Sequence, residues 1–386
     1  MNNTSLDHLQ TNKIALHKFT ESEKAIFTTG LAILSLLTLF GNTLVIVAFY
    51  KYRPLRTRTN YFIVSLSVSD ILVALISMPV WAVVIITDYD RAILIERKLL
   101  MIWTSVDIMT GIASILNLTT ITIDRYIHVT RPLKHPKLVT RRRVILAIIL
   151  IWAFSLFVSL SKGIFHEFWR HNKPSYETMI VSVGFVLPLM VISYCYLRIY
   201  QVVRVQVNKF KHQTKHLAPS SANSDKEKTD VKAIKTIAVV ILAFFFCWCP
   251  FFVLNLYNGW CRFHLGPQRN ECIINRQLVT AAKWLHYCNS SLNPVIYACF
   301  NREFRLGFKT ALYRHFAGRD SSSSFSSMLK RASIKSYLYE VNGVPHNLLS
   351  DGKSKKFQMQ AYDVIIMDDI ERRSSCTKLQ PWMQDL

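Results

Sequence analysis

Charged side chains are scarce in this sequence. Asp, Glu, Lys and Arg make up 18% of its 386 residues, whereas a water-soluble domain carries about 25%. Hydrophobic residues make up 51% of the chain, which is too many for a disordered protein. This shortage of charge, combined with an excess of apolar residues, indicates that the protein is embedded in a lipid bilayer.

Acidic residues are scarcer still, since 24 Asp and Glu stand against 47 Lys and Arg, giving a formal net charge of +23. Such an excess occurs in nucleic-acid-binding proteins. Here, however, the basic residues cluster in short segments between apolar runs, notably 51–58 and 131–143. At these places they would meet anionic lipid, so we favour membrane lipid over nucleic acid as the partner of this charge.

Strand-like alternation of polar and apolar residues is also missing. Seven apolar runs recur instead, at 26–50, 60–86, 99–127, 144–162, 177–203, 233–258 and 276–299. A helix of about 20 residues crosses a hydrocarbon layer about 30 Å thick. Since backbone polar groups in lipid must be hydrogen-bonded within the protein, the sequence predicts an all-α membrane protein, with a seven-transmembrane helix bundle over residues 26–300.

A cleavable signal peptide is not expected, because residues 1–25 are polar and contain no apolar core. The positive-inside rule places the segments 51–58 and 131–143 in the cytoplasm and the N-terminus outside. Residues 1–25 then form an extracellular segment, and its overlapping sequons at Asn2 and Asn3 predict glycosylation. We therefore expect a multi-pass glycoprotein of the plasma membrane.

The composition changes after residue 300. A short amphipathic eighth helix on the inner membrane surface is predicted for 301–316, where apolar residues recur every fourth position: Phe304, Phe308 and Leu312. The polar remainder, 317–386, is predicted to be a disordered cytoplasmic tail. Its Ser-rich stretch 321–327 resembles kinase substrates, although such stretches are often only disordered.

Ionisable residues within the apolar runs are few, and each is costly enough in lipid to be a functional candidate: Asp70, Asp107, Asp124, Arg125, Lys283 and His286. Other distinctive residues are Gly41-Asn42, Asp124-Arg125-Tyr126, Trp152, Pro188, Phe244 to Pro250, and Asn293-Pro294-Val295-Ile296-Tyr297. Together they resemble the rhodopsin-like, class A G-protein-coupled receptors over about residues 26–316.

This resemblance implies a receptor, not an enzyme, that activates a heterotrimeric G protein when its sixth helix moves outward. The residues that match the activation switch and the G-protein contacts of the family are Asp124, Arg125, Tyr126, Pro132, Tyr196, Asp230, Pro188, Ile115, Phe244, Pro250, Pro294 and Tyr297. Arg125 has two candidate ion-pair partners, Asp124 and Asp230. The short loop between the fifth and sixth helices resembles receptors that couple to the stimulatory G protein, and the Ser-rich tail implies arrestin and receptor kinases as further partners.

Five polar residues match the sodium pocket of the family: Asp70, Ser114, Asn289, Ser290 and Asn293. A buried carboxylate requires a cation or a proton, and oxygen-bearing neighbours suit a hard cation. We expect no cofactor apart from this allosteric sodium ion, and a water-filled polar network is the alternative.

Asp107 lies 17 residues before Asp124, which is about 26 Å along a helix and therefore in the outer third of the bundle. A carboxylate at this depth resembles the biogenic and trace amine branch, in which it binds the ligand ammonium. The positions that match the ligand pocket of this branch are Trp103, Asp107, Gly111, Ile180, Gly184, Trp248, Phe251, Phe252, Lys283, Trp284 and Tyr287. The implied ligand is a small extracellular molecule, a biogenic or trace amine.

Three positions depart from that branch. Ile180 and Gly184 would leave the hydroxyls of a catechol unpaired, which disfavours a catecholamine. Lys283 either pairs with Asp107 or extends to the extracellular water. His286 replaces a small residue and either narrows the pocket or confers pH sensitivity. If Lys283 pairs with Asp107, the alternative is a receptor whose ligand is acidic, zwitterionic or absent.

Cysteine is missing from the outer end of the third run and from the loop 163–176. The usual family disulfide between these two elements therefore cannot form. Cys261 and Cys272 flank the third outer loop. Because amine receptors often carry a local bridge there, the resemblance implies a disulfide between them.

Overall fold

The computed structural model describes residues 19–87, 97–165, 173–214, 222–265 and 275–316, and these contain helices and turns but no strand. We number eight helices: α1 (Glu21–Lys51), α2 (Asn60–Ile86), α3 (Arg97–Thr130), α4 (Arg141–Ile164), α5 (Lys173–Val181 continued by Ser182–Val186 and Leu187–Thr214), α6 (Ala222–Leu265), α7 (Arg276–Phe300) and α8 (Arg302–Phe316). A single helical turn, His135–Leu138, lies in the loop between α3 and α4.

Six helices, α1 to α6, are long and apolar enough to cross a membrane. Helix α7 is the most polar of the predicted spans, and its polar side chains at Lys283, His286, Asn289 and Asn293 are buried. It packs against both α1 and α6, so these side chains lie inside the bundle. The predicted seven-helix membrane bundle is confirmed.

The helices extend beyond the apolar runs. The sixth apolar run covers residues 233–258, whereas the helix that contains it, α6, covers Ala222–Leu265. A helix can continue through polar residues beyond the hydrocarbon layer, because its backbone hydrogen bonds are made within the helix and do not depend on the side chains. At the start of α1, a capping box satisfies backbone groups that have no partner within the helix. The Glu23 backbone N–H donates to Thr20 Oγ1 at 3.2 Å, and the Thr20 N–H donates to Glu23 Oε2 at 2.9 Å.

Two helices contain a π-helical turn immediately before a proline. In α2 the turn is Val73–Ser77, followed by Pro79, and in α5 it is Ser182–Val186, followed by Pro188. Proline cannot donate a backbone hydrogen bond, and the extra residue of a π turn absorbs the resulting irregularity. The first turn ends at Ser77, whose carbonyl oxygen accepts hydrogen bonds from Trp103 Nε1 and Tyr287 Oη, both at 3.3 Å. The turn therefore ties α2 to α3 and α7.

Polar side chains join the helices at mid-membrane. Asn42 Nδ2 donates to the Ser290 carbonyl oxygen at 3.1 Å, which ties α1 to α7. Trp152 Nε1 donates to Ser65 Oγ at 3.0 Å, which ties α4 to α2. Such bonds position helices in lipid, where the hydrophobic effect does not bring them together.

The predicted eighth helix is present. Phe304 and Phe308 are buried against α1, and the side chains of Arg305 and Lys309 are exposed on the opposite face. At Gly307 an added Cβ would lie 2.6 Å from Leu55 Cδ1, in the short turn after α1, and 3.3 Å from Ala48 Cβ, so a larger residue here would require Leu55 to shift.

Candidate functional site

The Asp107 carboxylate on α3 is bonded by two side chains of α7. Lys283 Nζ donates to Asp107 Oδ2 at 2.5 Å, and Tyr287 Oη donates to Asp107 Oδ1 at 3.3 Å. Asp107 and Lys283 are 8% and 3% exposed, respectively. Lys283 therefore pairs with Asp107, and the alternative in which it extends to extracellular water is wrong for this structure. Tyr287, another of the predicted pocket positions, hydrogen-bonds the same carboxylate.

Four aromatic rings surround the Lys283 ammonium. Its Nζ lies 4.3 Å from the ring centre of Phe251, 5.0 Å from that of Tyr287, and 5.9 Å from those of Trp81 and Trp103. The two tryptophan rings are stacked with centres 6.0 Å apart. We call these four rings, together with Asp107, the ammonium cage. Ring faces attract cations, so the cage suits any ammonium group.

The floor of the cage is formed by α6 and α7. The rings of Trp248 and Phe252 stack with centres 5.6 Å apart, and the His286 ring lies edge-on to Trp248 at 4.2 Å. A Cβ added at Gly111 would lie 3.3 Å from Trp248 Cη2 and 3.8 Å from His286 Cε1. His286 therefore narrows the pocket, and Gly111 leaves the space that both rings fill.

The other predicted pocket residues lie further away. Gly184 on α5 faces Ile112 and Phe252, since an added Cβ would lie 3.7 Å from each. Ile180 belongs to the same apolar cluster. Trp284 was predicted to form a wall of the pocket, but its ring covers Gly30 on α1. Trp284 therefore packs against α1 and does not face the ammonium cage.

Several buried polar atoms near the cage have no hydrogen-bond partner among the described residues. They are Ser77 Oγ, Trp248 Nε1 and His286 Nδ1. Buried polar atoms in proteins are normally hydrogen-bonded. Their concentration here is typical of a site that binds a polar ligand or water.

The predicted sodium-pocket residues surround Asp70, which is fully buried. Asn293 Nδ2 donates to Asp70 Oδ2 at 2.8 Å and Ser114 Oγ donates to Asp70 Oδ1 at 3.4 Å. Ser290 is buried on the same helix as Asn293. Asn289 is buried on the same helix. The carboxylate and hydroxyl oxygens form the donor set that a hard cation prefers.

At the C-terminal end of α3, two side chains other than Arg125 hydrogen-bond the Asp124 carboxylate. Thr59 Oγ1 donates to Asp124 Oδ2 at 2.6 Å, and His135 Nε2 donates to Asp124 Oδ1 at 3.0 Å. Within the described residues Asp124 makes no ion pair with Arg125, so that predicted pairing is wrong for this structure. The Arg125 side chain is exposed. Asp230 lies on α6 in a stretch whose side chains are outside the described residues.

The remaining switch residues fall into three places: the core between α3, α5 and α6, the helix α7, and the loop after α3. Ile115 and Phe244 are buried in one cluster with Trp248, and Tyr196 packs against it, while Pro188 is buried on α5. Pro250 and Pro294 lie inside α6 and α7. Tyr126 contacts Tyr194 with ring centres 6.2 Å apart, and Tyr297 stacks on Phe304 at 5.1 Å. In the loop after α3, Pro132 is exposed and Leu133 is 90% exposed.

Some predictions fall on residues that the structure does not describe: the sequons at Asn2 and Asn3, the partner cysteine Cys272, and the tail from 317 onward. Cys261 is disulfide-bonded. Its pairing with Cys272 remains a prediction.

A family model for the 7 transmembrane receptor (rhodopsin family) matches residues 41–297. The chain belongs to this family. It is therefore a multi-pass membrane receptor and not an enzyme, with a G protein and a small molecule as its partners. The resemblance drawn from the motifs is confirmed.

The relatives of this receptor place it in the amine branch. It is 35% identical to the human histamine H2 receptor over 315 residues, which cover 77% of this chain and 82% of that receptor. It is 33% identical to the Drosophila melanogaster octopamine receptor beta-1R over 328 residues, covering 74% and 61%. It is also 33% identical to the Xenopus laevis D(1C) dopamine receptor over 324 residues, covering 75% and 68%.

Sequence reasoning missed four residues of these sites. Trp81 lines the ammonium cage, and the Ser77 carbonyl anchors two cage residues. A tryptophan two residues after Pro79 within an apolar run was the available signal for Trp81. Thr59 and His135 hydrogen-bond Asp124, and their only signal in the sequence was that each is a polar residue in a segment between two apolar runs.

Proposed function

We propose that this receptor binds a small ligand with an ammonium group, a biogenic or trace amine, at Asp107 and in response activates a heterotrimeric G protein. The observation that carries the proposal is the ammonium cage, in which an ammonium lies 2.5 Å from the Asp107 carboxylate and within 6 Å of four ring centres. A charge-assisted hydrogen bond and cation–π contacts are the interactions that recognise an amine.

The α5 side of the pocket restricts which groups the ligand can carry at the end opposite its ammonium. Ile180 and Gly184 offer no side-chain hydrogen-bond donor or acceptor on α5. Burying catechol hydroxyls against them would leave those groups unpaired. The geometry therefore favours a ligand whose distal end is apolar or aromatic.

Ligand binding is coupled to the cytoplasm through the floor of the cage. Trp248 contacts Phe252, His286 and Phe244, and Phe244 belongs to the same buried cluster as Ile115. A ligand that displaces Trp248 shifts α6 around Pro250. Outward movement of the cytoplasmic half of α6 then opens a cleft beside Arg125 for a helix of the G protein.

A sodium ion bound at Asp70 would stabilise the unliganded state. Ser114 and Ser290 carry hydroxyl oxygens beside the carboxylate, and Asn289 and Asn293 are buried amides on the same helix as Ser290. The burial of Asp70 supports this role, because a carboxylate removed from water requires a positive partner.

We further assign the extracellular side to the N-terminus, with glycans on Asn2 and Asn3 and a disulfide between Cys261 and Cys272. The G protein is of the stimulatory type, and arrestin and receptor kinases act on the Ser-rich tail. The exposed Leu133, together with Pro132, forms the contact of the second cytoplasmic loop with the G protein.

A second function is favoured by one observation. The receptor's own Lys283 already occupies the ammonium cage. In this second reading the receptor is ligandless and signals through its basal activity, with the lysine holding the site in one state.

Cyclic AMP in cells that express the full-length receptor tests the proposed function. A panel of biogenic and trace amines is applied to the wild type and to Asp107→Ala, with Glu21→Ala as the matched control at an exposed acidic residue. All variants are normalised to cell-surface expression. An amine response that Asp107→Ala abolishes and Glu21→Ala retains supports the proposal. A response that survives Asp107→Ala overturns it, and basal cyclic AMP without any amine response favours the ligandless function.

A further inference from the structure

The ammonium cage is complete without a ligand. Lys283 Nζ bonds Asp107, and the same nitrogen faces the rings of Phe251 and Tyr287 at 4.3 and 5.0 Å. The side-chain ammonium of Lys283 is the same chemical group that an amine ligand would bring to Asp107. Any ligand that uses Asp107 must therefore replace an ammonium that is already held.

A simple amine makes this replacement at a high cost. Its own ammonium would take Asp107, and Lys283, which is 3% exposed, would be left buried without a carboxylate and beside a second positive charge. A buried charge that loses its partner strongly opposes binding. A simple carboxylate has the reverse difficulty, because it would pair with Lys283 and leave Asp107 with only the 3.3 Å bond from Tyr287.

A ligand with both charges avoids the two costs. Its ammonium replaces that of Lys283 on Asp107, and its anionic group pairs with the lysine that is released. Lysine carries three N–H donors on a flexible stem, so a small rotation of the side chain suffices to reach a neighbouring anion. Every buried charge then has a partner of opposite sign.

We propose that the ligand of this receptor is a zwitterion of the amino-acid type, whose ammonium binds Asp107 and whose carboxylate binds Lys283. This inference rests on one part of the proposed function, that Asp107 is the ammonium site, and it replaces the simple amine by an amino acid as the ligand. Lys283 is thereby a specificity-determining residue that selects amino acids over their decarboxylated amines.

The rest of the pocket narrows the class. Trp248 Nε1 and His286 Nδ1 are buried and have no hydrogen-bond partner among the described residues, so they can bind further polar atoms of the ligand. The apolar positions Ile180 and Gly184 suit an aromatic or aliphatic side chain. His286 fills the space beside Gly111, so the ligand is small.

The test uses matched trios on membranes from cells that express the full chain, with guanine-nucleotide exchange as the readout. One trio is phenylalanine, phenethylamine and 3-phenylpropionate, another is tryptophan, tryptamine and indole-3-propionate, and the panel extends to the twenty amino acids and their decarboxylated amines. We expect at least one zwitterion to activate the wild type with at least about tenfold higher potency than its amine, the ratio that a 1.4 kcal/mol difference gives.

The Lys283 variants separate recognition from folding. Lys283→Met removes the charge and is expected to reverse the preference, so that the amine becomes the more potent member of the trio by about tenfold. Lys283→Arg keeps the charge and is expected to keep the preference for the zwitterion, and both variants are compared at equal surface expression. A wild type that prefers the amine, that responds to no zwitterion, or whose preference Lys283→Met leaves unchanged overturns the inference. If amines activate the wild type through Asp107, the proposed function stands while this inference fails. If a response of any kind survives Asp107→Asn, the proposed function itself fails.

Discussion

Removing the charges of Asp107 and Lys283 singly and together measures how strongly the ion pair holds α3 to α7. Loss of one partner from a buried pair costs about 3–5 kcal/mol, because the other charge is left uncompensated. After Asp107→Asn, the Lys283 ammonium still has its cation–π contacts with the surrounding rings, which stabilise a desolvated cation by about 2 kcal/mol. Lys283→Met leaves Asp107 with a single 3.3 Å bond from Tyr287. We therefore expect Lys283→Met to be the more destabilising single change.

The double variant removes both charges and leaves none unpaired. We expect it to be more stable than the sum of the two single changes implies, with a coupling energy of at least about 2 kcal/mol. The assay is thermal unfolding of the full-length receptor in lipid nanodiscs. At about 2–4 °C per kcal/mol, each single variant should melt about 6 °C or more below the wild type.

An ion pair on α1 with one exposed partner supplies the control. Lys24 Nζ lies 2.9 Å from Glu21 Oε1, and the Glu21 side chain is 89% exposed. The corresponding cycle, Glu21→Gln with Lys24→Met, should show a coupling of no more than about 0.5 kcal/mol. A coupling at Asp107 and Lys283 as small as in this control would refute the reasoning, because it would mean that the two charges are not held together in the bundle.

Three further changes test the remaining sites. Arg125→Ala should abolish G-protein activation, measured as cyclic AMP, while surface expression is retained, because Arg125 is the exposed charge at the predicted cleft. His135→Ala removes a charge-assisted bond to Asp124, worth about 1.5–3 kcal/mol. Asp124 is then free to pair with Arg125, so basal cyclic AMP should fall about tenfold at equal expression. Asp70→Asn removes the charge from the proposed sodium pocket, so agonist potency should no longer change when sodium replaces potassium in a nucleotide-exchange assay.

Each of these predictions has a contrary outcome. Normal signalling by Arg125→Ala would show that this arginine does not contact the G protein. An unchanged or raised basal level in His135→Ala would show that Asp124 and Arg125 do not compete in the proposed way. Equal sodium sensitivity in Asp70→Asn and the wild type would remove the sodium pocket from the account.

The spans could be predicted from the sequence because lipid imposes a simple rule on length and hydropathy. Even α7, whose buried Lys283, His286 and Asn293 make it the most polar, was identified by its length and its motif. The helix ends could not be predicted in this way, because α6 continues to Ala222 and Leu265 on internal hydrogen bonds that polar residues satisfy equally well in water.

The π turns escaped prediction for a related reason. The sequence shows Pro79 and Pro188 within apolar runs, but a helix can accommodate proline by a kink, by a bulge or by bound water. Which of these occurs depends on the packing of neighbouring helices. The consequence for the site, a Ser77 carbonyl turned toward Trp103 and Tyr287, was therefore invisible in the sequence.

Within the candidate site, some neighbours could be predicted from the sequence and others could not. Asp107, Phe251 and Tyr287 were predicted as neighbours because helix spacing and the family motifs fix their depth. The two possible positions of Lys283 were equally consistent with the sequence, since a flexible four-carbon stem reaches both. The partners of Asp124 were mistaken because His135 reaches it only through the fold of the loop after α3.

The most direct test of the central claim is nucleotide exchange by purified stimulatory G protein on the purified receptor in lipid nanodiscs. The ligand is the most potent compound of the panel, and the wild type is compared with Asp107→Asn at equal receptor concentration. We expect the ligand to accelerate exchange on the wild type at least about tenfold and Asp107→Asn to lose this acceleration. Equal acceleration in the two receptors would contradict the assignment of Asp107 as the ammonium site.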